Sequence, residues 1–416
     1  GRSRETLLSI FMIDLMLASL PKVSNPKEKQ RLQQTCSQLM QMEGNIMFPG
    51  SQPVSFERKH LSPSEGGSLQ SKSYYAAEKT DGVRYMMLIL AEHGAFMIDR
   101  NFELRRLPKM HFPQRRDPSA LLDRTLIDGE LVIDDAVQQG GFMSSDSSRI
   151  AASGCRKMRY LAYDACCVAG KTVVQEPLAL RLLSLRRELL GPRYAAQRNG
   201  HDFQAEPFAI DMKDFFALNQ VGHIFQHISF EGGNDLDYLY AFKDPLRTLQ
   251  HGNDGIIFTA EHDSYQPGTC RSLLKWKPAD MNSIDFQLRT VWRTEEGYSG
   301  PQPRFQIFIS SGGMLMADFY DWISFTPEQH DRFKNDSLAD RRILECVYDA
   351  EWQTSTYSIN DNTWNFPEVR KGGWKFERIR EDKALPNDVK TVRSVEQSAR
   401  DGVTQHELLG TLRRGL

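Results

Sequence analysis

Three times in this chain an aspartate–glycine pair stands at the edge of an apolar, strand-like run. Asp81-Gly82 precedes Val83–Ala91, Asp128-Gly129 precedes Glu130-Leu131-Val132, and Asp254-Gly255 precedes Ile256-Ile257-Phe258. A carboxylate held that close to buried strands is costly unless it meets a hydroxyl, a cation or a metal. Glu130, just after the second of these glycines, and Asp254 each either cap a turn or face a polar cleft built at strand ends, and a sheet-based fold is required in both cases.

At 416 residues the chain is long enough for two to three domains of roughly 150 residues. Its 52 lysines and arginines against 54 acids argue against a uniformly basic nucleic-acid-coating surface, but leave room for a basic groove. With 40% apolar and 25% charged residues it has a globular rather than a disordered composition. Apolar stretches such as Tyr85–Ala91 fall far short of the ~20 residues a bilayer requires, so no membrane association is expected. The stretch from Leu7 to Leu20 is interrupted by Asp14 and lacks a small-residue cleavage site, so it does not read as a signal peptide. The six cysteines form no CxxC pair, which argues against a zinc site or a disulfide framework.

The block up to about Met47 reads as helical. Asn25-Pro26-Lys27-Glu28 has the signature of a capped helix start, and Leu32, Cys36, Leu39 and Met40 recur at helical spacing. Residues 49–73, rich in proline, glycine and serine, are expected to be largely irregular. Strands are expected at Tyr74–Glu78, Val83–Ala91, Ala95–Asp99, Thr125–Asp134, Tyr160–Val168, Gly252–Thr259 and Ser272–Lys277, with a helix at Leu178–Leu190. A second strand-rich region follows Asn282 and includes Arg304–Ser310 and Trp374–Arg380, which sets a domain boundary near Met281; the end from Asp388 onward reads as helical. The alternation predicts an α+β domain followed by a small β domain.

Lys79, in Glu78-Lys79-Thr80-Asp81-Gly82-Val83-Arg84, sits at a strand end beside a turn. An amine there attacks only when neutral, a state that burial and neighbouring cations favour; taken alone, such a lysine is more often a surface residue beside a hairpin. Leu273-Leu274-Lys275-Trp276-Lys277 alternates, so period two sends Lys275 and Lys277 to one face, where a triphosphate between them is a natural counter-anion. Arg378, Arg380 and Asp382 share strand parity, a fork suited to phosphates, though an isolated charge run of this kind is more often a solvated edge.

Taken together and in order, KxDGxR at Lys79, Asp-Gly-Glu at 128–130, Tyr-Asp-Ala at 163–165, Asp-Gly-Ile-Ile-Phe at 254–258, Leu-Lys-Trp-Lys at 274–277 and Arg-x-Asp-Lys at 380–383 resemble the covalent nucleotidyltransferase superfamily of polynucleotide ligases and mRNA capping enzymes. The segment Phe48–Ser55, the run from Leu274 through Pro278 to Phe286, and Trp374 ahead of Arg378–Lys383 are similar to the capping guanylyltransferases in particular. The resemblance extends from about Phe48 to near Leu409. It implies an α+β fold: an N-terminal helical segment over 1–47, a nucleotidyltransferase domain of antiparallel sheets with flanking helices over 48–281, a smaller OB-fold β-barrel domain over 282–387, and a C-terminal helical segment over 388–416.

The resemblance also implies roles. Lys79 would attack the α-phosphate of GTP, release pyrophosphate and hold GMP as a phosphoramidate, which a 5′-diphosphate RNA end would then take to form the GpppN cap. Arg84 and Arg100 match positions that hold phosphates and ribose, Glu130 and Asp254 match acids facing ribose and a divalent ion, Mg²⁺ or Mn²⁺, and Lys275 and Lys277 match α-phosphate contacts. Tyr163 resembles the aromatic that stacks on guanine, and Lys213 aligns more loosely with a lysine that reads guanine O6. Asp285 would line the pyrophosphate side, and Arg380, Asp382 and Lys383 would orient the β and γ phosphates as the second domain closes, with a hinge near 281–283. No His-Cys-x₅-Arg loop and no glycine-rich methyltransferase loop is present, so a separate RNA triphosphatase and a separate cap methyltransferase are expected as partners. The family also implies nuclear residence and docking to the RNA polymerase II C-terminal tail. The competing readings are an ATP-dependent RNA or DNA ligase, which shares the lysine chemistry, and a catalytically silent binding relative.

Overall fold

The computed structural model describes residues 4–42, 46–64, 66–108, 110–136, 157–230, 238–241, 249–278, 281–294, 297–311, 317–357 and 367–414. Two compact units divide the chain, residues 2–276 with 406–416 in one and residues 277–405 in the other.

The first unit begins with helices Arg4–Ser19 and Pro26–Leu39. Asn25 caps the second as its sequence requires: its side-chain oxygen accepts the backbone N–H groups of Lys27 at 3.0 Å and Glu28 at 3.3 Å. Pro26 takes a position where no N–H is needed. Leu32, Cys36 and Leu39 form its buried stripe and join the core of Met86, Leu88, Phe96 and Ile98.

The described strands of this unit are β1 (Ser51–Ser55), β2 (Tyr74–Thr80), β3 (Val83–Leu90), β4 (Gly94–Ile98), β5 (Leu104–Leu107), β6 (Thr125–Ala136), β7 (Lys157–Val168), β8 (Lys171–Thr172), β9 (Ala209–Met212), β10 (Phe216–Ala217), β11 (Ile228–Phe230), β12 (Tyr238–Ala241), β13 (Leu249–Ala260) and β14 (Gly268–Trp276). They form one mainly antiparallel system with the path β1-β14-β13-β6-β3-β4-β5, in which β13 also pairs with β2 and β12. The stretch expected to be irregular contains β1, which runs parallel to β14. Pro53 is compatible with that strand because β1 lies at the end of the path, where one side needs no ladder donor. The helix expected to stop at Leu190 continues, through one π turn at Arg186–Leu190, to Arg198.

Two of the three Asp-Gly pairs are not turns at all. Asp128-Gly129 lies inside β6 and Asp254-Gly255 inside β13, each at a shift in register. Against Asp128 and Gly129, β7 carries one extra residue, Tyr163; against Thr80 and Glu78, β13 carries one extra residue between Asn253 and Ile256. Such bulges bend a strand and re-aim its side chains, so the polar residues enter the pocket from the middle of long strands rather than from their ends. Gly129 is required by close packing. A Cβ there would lie 2.3 Å from Cζ of Tyr160, whose hydroxyl donates to the Tyr85 carbonyl at 2.9 Å.

The second unit is a five-stranded antiparallel sheet in the order β17-β16-β15-β18-β19, built from β15 (Ser283–Thr294), β16 (Pro301–Ser310), β17 (Ala317–Trp322), β18 (Ile343–Thr356) and β19 (Glu368–Ile379). It curls enough for Arg370 of one edge strand to ion-pair with Asp321 of the other. Helix Pro327–Lys334 lies between β17 and β18 in the chain. Its Phe333 and the Val392 and Val395 of helix Val389–Asp401 close a core of Ile284, Phe286, Trp374 and Phe376. The α+β class is therefore the one observed, with an OB-like second unit.

Gly129→Ala should lower unfolding free energy by about 1–3 kcal/mol, the range for overpacking. Urea unfolding of the two proteins measures it.

Candidate active site

Lys79 stands one residue before the end of β2, and period two decides its direction. Ala77 and Lys79 line a pocket, which the buried Thr80 at the strand end also touches, whereas Glu78 is 2% exposed and is not among its lining residues. The bulge in β13 brings Asp254 to it, with Oδ1 at 2.6 Å from the Lys79 Nζ. The charged groups that act most strongly on the amine are carboxylates. Burial pushes its pKa down, but Asp254, Asp81 and Glu130 outweigh burial and hold it above the ordinary lysine value. These carboxylates favour the ammonium form of Lys79.

Glu130 enters from β6. One of its oxygens accepts the backbone N–H of Gly82 at 3.2 Å and the other accepts Lys213 Nζ at 3.2 Å. Lys213, almost fully buried, also lies 5.3 Å from the centre of the Tyr163 ring. The Tyr163 hydroxyl donates to Asp128 at 2.8 Å. Asp128 is the residue that sequence reasoning missed. It is 1% exposed and accepts four hydrogen bonds, from Arg84 Nε (3.0 Å) and Nη2 (2.5 Å), Tyr163 and the Tyr265 hydroxyl (2.6 Å). Arg84 is pinned further by the Ser51 carbonyl at 2.5 Å. Burial pushes the Tyr163 and Tyr265 phenols well up, so both remain neutral donors. The signal for Asp128 was its parity with Glu130 on one strand. Arg181, which grips Asp164 through two bonds at 2.6 and 2.9 Å, gave no local signal because its partner lies on β7. Arg100, Asp164 and Arg181 line the same pocket as Lys79, Arg84, Glu130, Tyr163 and Lys213.

Lys275 and Lys277 do not share a strand face. In the register Lys275 pairs with Ile257, which pairs with Ala77; Ile257 and Ala77 line the pocket, so Lys275 lies in their row and on their side. Strand β14 stops at Trp276, and Lys277 falls beyond it, in the second unit, donating to the Met281 carbonyl at 3.4 Å.

The remaining candidates form a separate cluster within the second unit. Arg380 grips Asp382 through two bonds at 2.8 and 2.7 Å and reaches both oxygens of Asp285 at 3.1 Å. Lys383 also binds Asp285. Burial pushes the Asp285 carboxyl up, but Arg380 and Lys383 outweigh it and hold the acid below its ordinary value. Strand β19 ends at Ile379, so a turn rather than strand parity brings Arg380 and Asp382 together. Glu345, also missed, completes the cluster by accepting from Arg378 at 2.7 Å and Ser283 at 2.8 Å.

A divalent ion can be judged against these donors. Among the described residues no group of three or more His, Cys, Asp or Glu side chains is spaced to hold a metal alone. Asp254 and Glu130 are hard oxygen donors near one amine, and such a pair fits an ion that keeps waters and takes its other ligands from phosphates.

Comparison with known proteins agrees with the order of the motifs. Residues 18–279 match the family described as mRNA capping enzyme, catalytic domain, and residues 281–409 match mRNA capping enzyme, C-terminal domain. The mRNA-capping enzyme subunit alpha of Schizosaccharomyces pombe is 30% identical over 412 residues, covering 95% of this chain and 87% of that protein. That of Saccharomyces cerevisiae is 30% identical over 418 residues, covering 91% and 82%. The mRNA-capping enzyme of Mus musculus is 29% identical over 408 residues and 98% of this chain, which spans only 56% of the mouse protein. The chain belongs to the mRNA capping enzyme family.

Proposed function

We propose that the protein is an mRNA guanylyltransferase, and the observation that carries this reading is the ion pair of buried Asp254 with Lys79, a half-buried lysine that lines a pocket with Arg84, Glu130, Tyr163 and Lys213. In the first half-reaction the neutral Lys79 amine attacks the α-phosphorus of GTP; a P–N bond forms, the bond to the bridging β-phosphate oxygen breaks, and pyrophosphate leaves. The amine gives up one proton, and Asp254 Oδ1 is its nearest acceptor among the described contacts. In the second, a β-phosphate oxygen of a 5′-diphosphate RNA end attacks the same phosphorus, and the P–N bond breaks as the lysine nitrogen is reprotonated.

The other residues take the parts their chemistry allows. Lys275 stabilises charge on the α-phosphate and Lys277 is its second candidate partner; Arg84 and Arg100 contact phosphate and ribose; Tyr163 offers a ring to the base and Lys213 a donor to guanine O6. Asp254 and Glu130 would hold Mg²⁺ or Mn²⁺ with the nucleotide, an ion that neutralises charge on the triphosphate. Asp285, Arg380, Asp382 and Lys383 act on the β and γ phosphates in the first half-reaction. A triphosphatase and a methyltransferase acting before and after this step, docking to the polymerase tail, and nuclear residence belong to the same reading. Among the described residues no helix is long and apolar enough to cross a membrane.

With α-phosphate-labelled nucleotides and Mg²⁺ or Mn²⁺, covalent label should come from GTP, be released by pyrophosphate, and vanish in Lys79→Ala and in Lys79→Arg, whose guanidinium cannot attack. Label from ATP instead would identify a ligase, and no label from either would identify a binding relative. The rate of adduct formation should rise with pH, because carboxylates hold Lys79 protonated. In Asp254→Asn one of those carboxylates is gone, so the rising limb should move to lower pH while the maximum rate falls at least tenfold; a rate–pH series measures both. Arg380→Ala should slow adduct formation from GTP by ~10-fold or more, the scale of a lost phosphate contact, and leave GMP transfer from a preformed adduct within about threefold. Equal losses in both steps would remove the β/γ-phosphate role.

A further inference from the structure

On the side of β2 turned away from the pocket lies a chain of buried charges that the two half-reactions do not use. His251, 3% exposed, meets Asp134 through Nδ1 at 2.9 Å and faces Glu78 with Nε2 at 3.7 Å. Glu78 is 2% exposed and Asp134 fully buried. Arg159 of β7 faces Asp134 from the other side at 2.8 Å and reaches Asp211 of β9 at 3.3 Å.

Glu78, His251 and Asp134 come from the three strands that carry Lys79, Asp254 and Glu130. Glu78 immediately precedes Lys79 on β2, His251 lies three residues before Asp254 on β13, and Asp134 lies four after Glu130 on β6. His251 stands where β13 changes partners: Leu249 and Gln250 pair with β6, and from Asn253 onward the strand pairs with β2. The bulge that aims Asp254 at Lys79 begins there, so the regular ladder is interrupted where the reacting pair must be held. Asn253 supports the bulge by accepting the Gly255 N–H at 2.9 Å, and the Gly252 carbonyl accepts the Asp81 N–H at 2.8 Å. Just before the bulge, the His251 ring meets both neighbouring strands, by a hydrogen bond to Asp134 of β6 and an ion-pair contact to Glu78 of β2.

We propose that His251, clamped between Asp134 and Glu78, is a positioning residue for lysine guanylylation, cross-linking β13, β6 and β2 so that Asp254 stays in register with Lys79. The inference rests on the guanylyltransferase reading. Burial disfavours the imidazolium, but Asp134 and Glu78 outweigh burial and raise its pKa, and a cation between two buried carboxylates offsets the cost of burying them, most of all for Glu78, because Asp134 also has Arg159. Without it Glu78 and Asp134 repel across the seam, the bulge loosens, and the Lys79–Asp254 contact lengthens. A displacement of about 1 Å at a reacting pair costs on the order of 100-fold in rate.

The test compares wild type, His251→Gln, Asp134→Asn and the double variant His251→Gln/Glu78→Gln in single-turnover formation of the GMP adduct, counted per adduct-competent molecule, with KM for GTP and the thermal midpoint measured alongside. In His251→Gln the rate at saturating GTP should fall at least tenfold with KM within about threefold, because the pocket contacts to nucleotide are intact. Asp134→Asn should fall in the same direction. The double variant should recover part of the loss, since the carboxylate left unpaired by the histidine is removed with it. A rate within about twofold of wild type in His251→Gln, with or without a lower thermal midpoint, overturns the proposal, as does a loss confined to KM. Should His251→Gln fail to fold, Asp134→Asn carries the same test, and an unchanged rate there overturns it. Wild-type protein that takes no label from GTP overturns the guanylyltransferase reading itself and is distinguished by that control.

Discussion

A carboxylate with almost no contact with water organises the pocket. Asp128 is buried in the middle of β6, where an isolated charge is strongly unfavourable, and it is stable there because four donors from three other parts of the chain converge on it. Arg84 comes from β3, Tyr163 from the bulge of β7, and Tyr265 from the segment between β13 and β14. Tyr265 in turn accepts the Ser51 N–H of β1 at 3.0 Å, and Arg84 binds the Ser51 carbonyl. One acid therefore fixes the relative placement of four chain segments that line the same cavity. Partly satisfied, the same network would be a liability, because each buried partner left behind keeps its full desolvation cost.

The parts of this arrangement that were legible in the sequence are those governed by local rules. The Asn25-Pro26 helix start follows from capping and the place of Lys79 near a strand end from the turn residues after it, and the structure has both. Past an element's end local rules held unevenly. Parity joined Lys275 to Lys277, but β14 ends at Trp276 and Lys277 lies beyond it, whereas Arg378 and Arg380 reach the same Glu345 carboxylate at 2.7 and 3.8 Å although β19 ends at Ile379. Reading Asp128-Gly129 and Asp254-Gly255 as turns was a reasonable inference from composition. Tertiary packing overrides it: Tyr160 occupies the space of the missing Gly129 side chain, and an added residue in β13 is accommodated as a bulge.

Long-range pairing accounts for what could not be read. Asp164 with Arg181, Glu345 with Arg378, and His251 with both Asp134 and Glu78 join elements whose adjacency is decided by topology. In both units the cationic groups named from the sequence are matched by buried acids. Arg380 and Lys383 share Asp285, and Arg84 is held by Asp128. The acids fix the cations in place before any anionic ligand arrives, so less side-chain entropy remains to be lost on binding.

The carboxylates around Lys79 have a further effect on the idle protein. An amine able to attack phosphorus is equally able to react with stray acylating agents and aldehydes, and it does so only when neutral. Held by Asp254, and with Asp81 and Glu130 nearby, the resting lysine stays protonated and chemically quiet. As the proposed nucleophile, Lys79 would thus be shielded by its own surroundings until a ligand of opposite electrostatic demand enters, which builds selectivity against side reactions into the ground state.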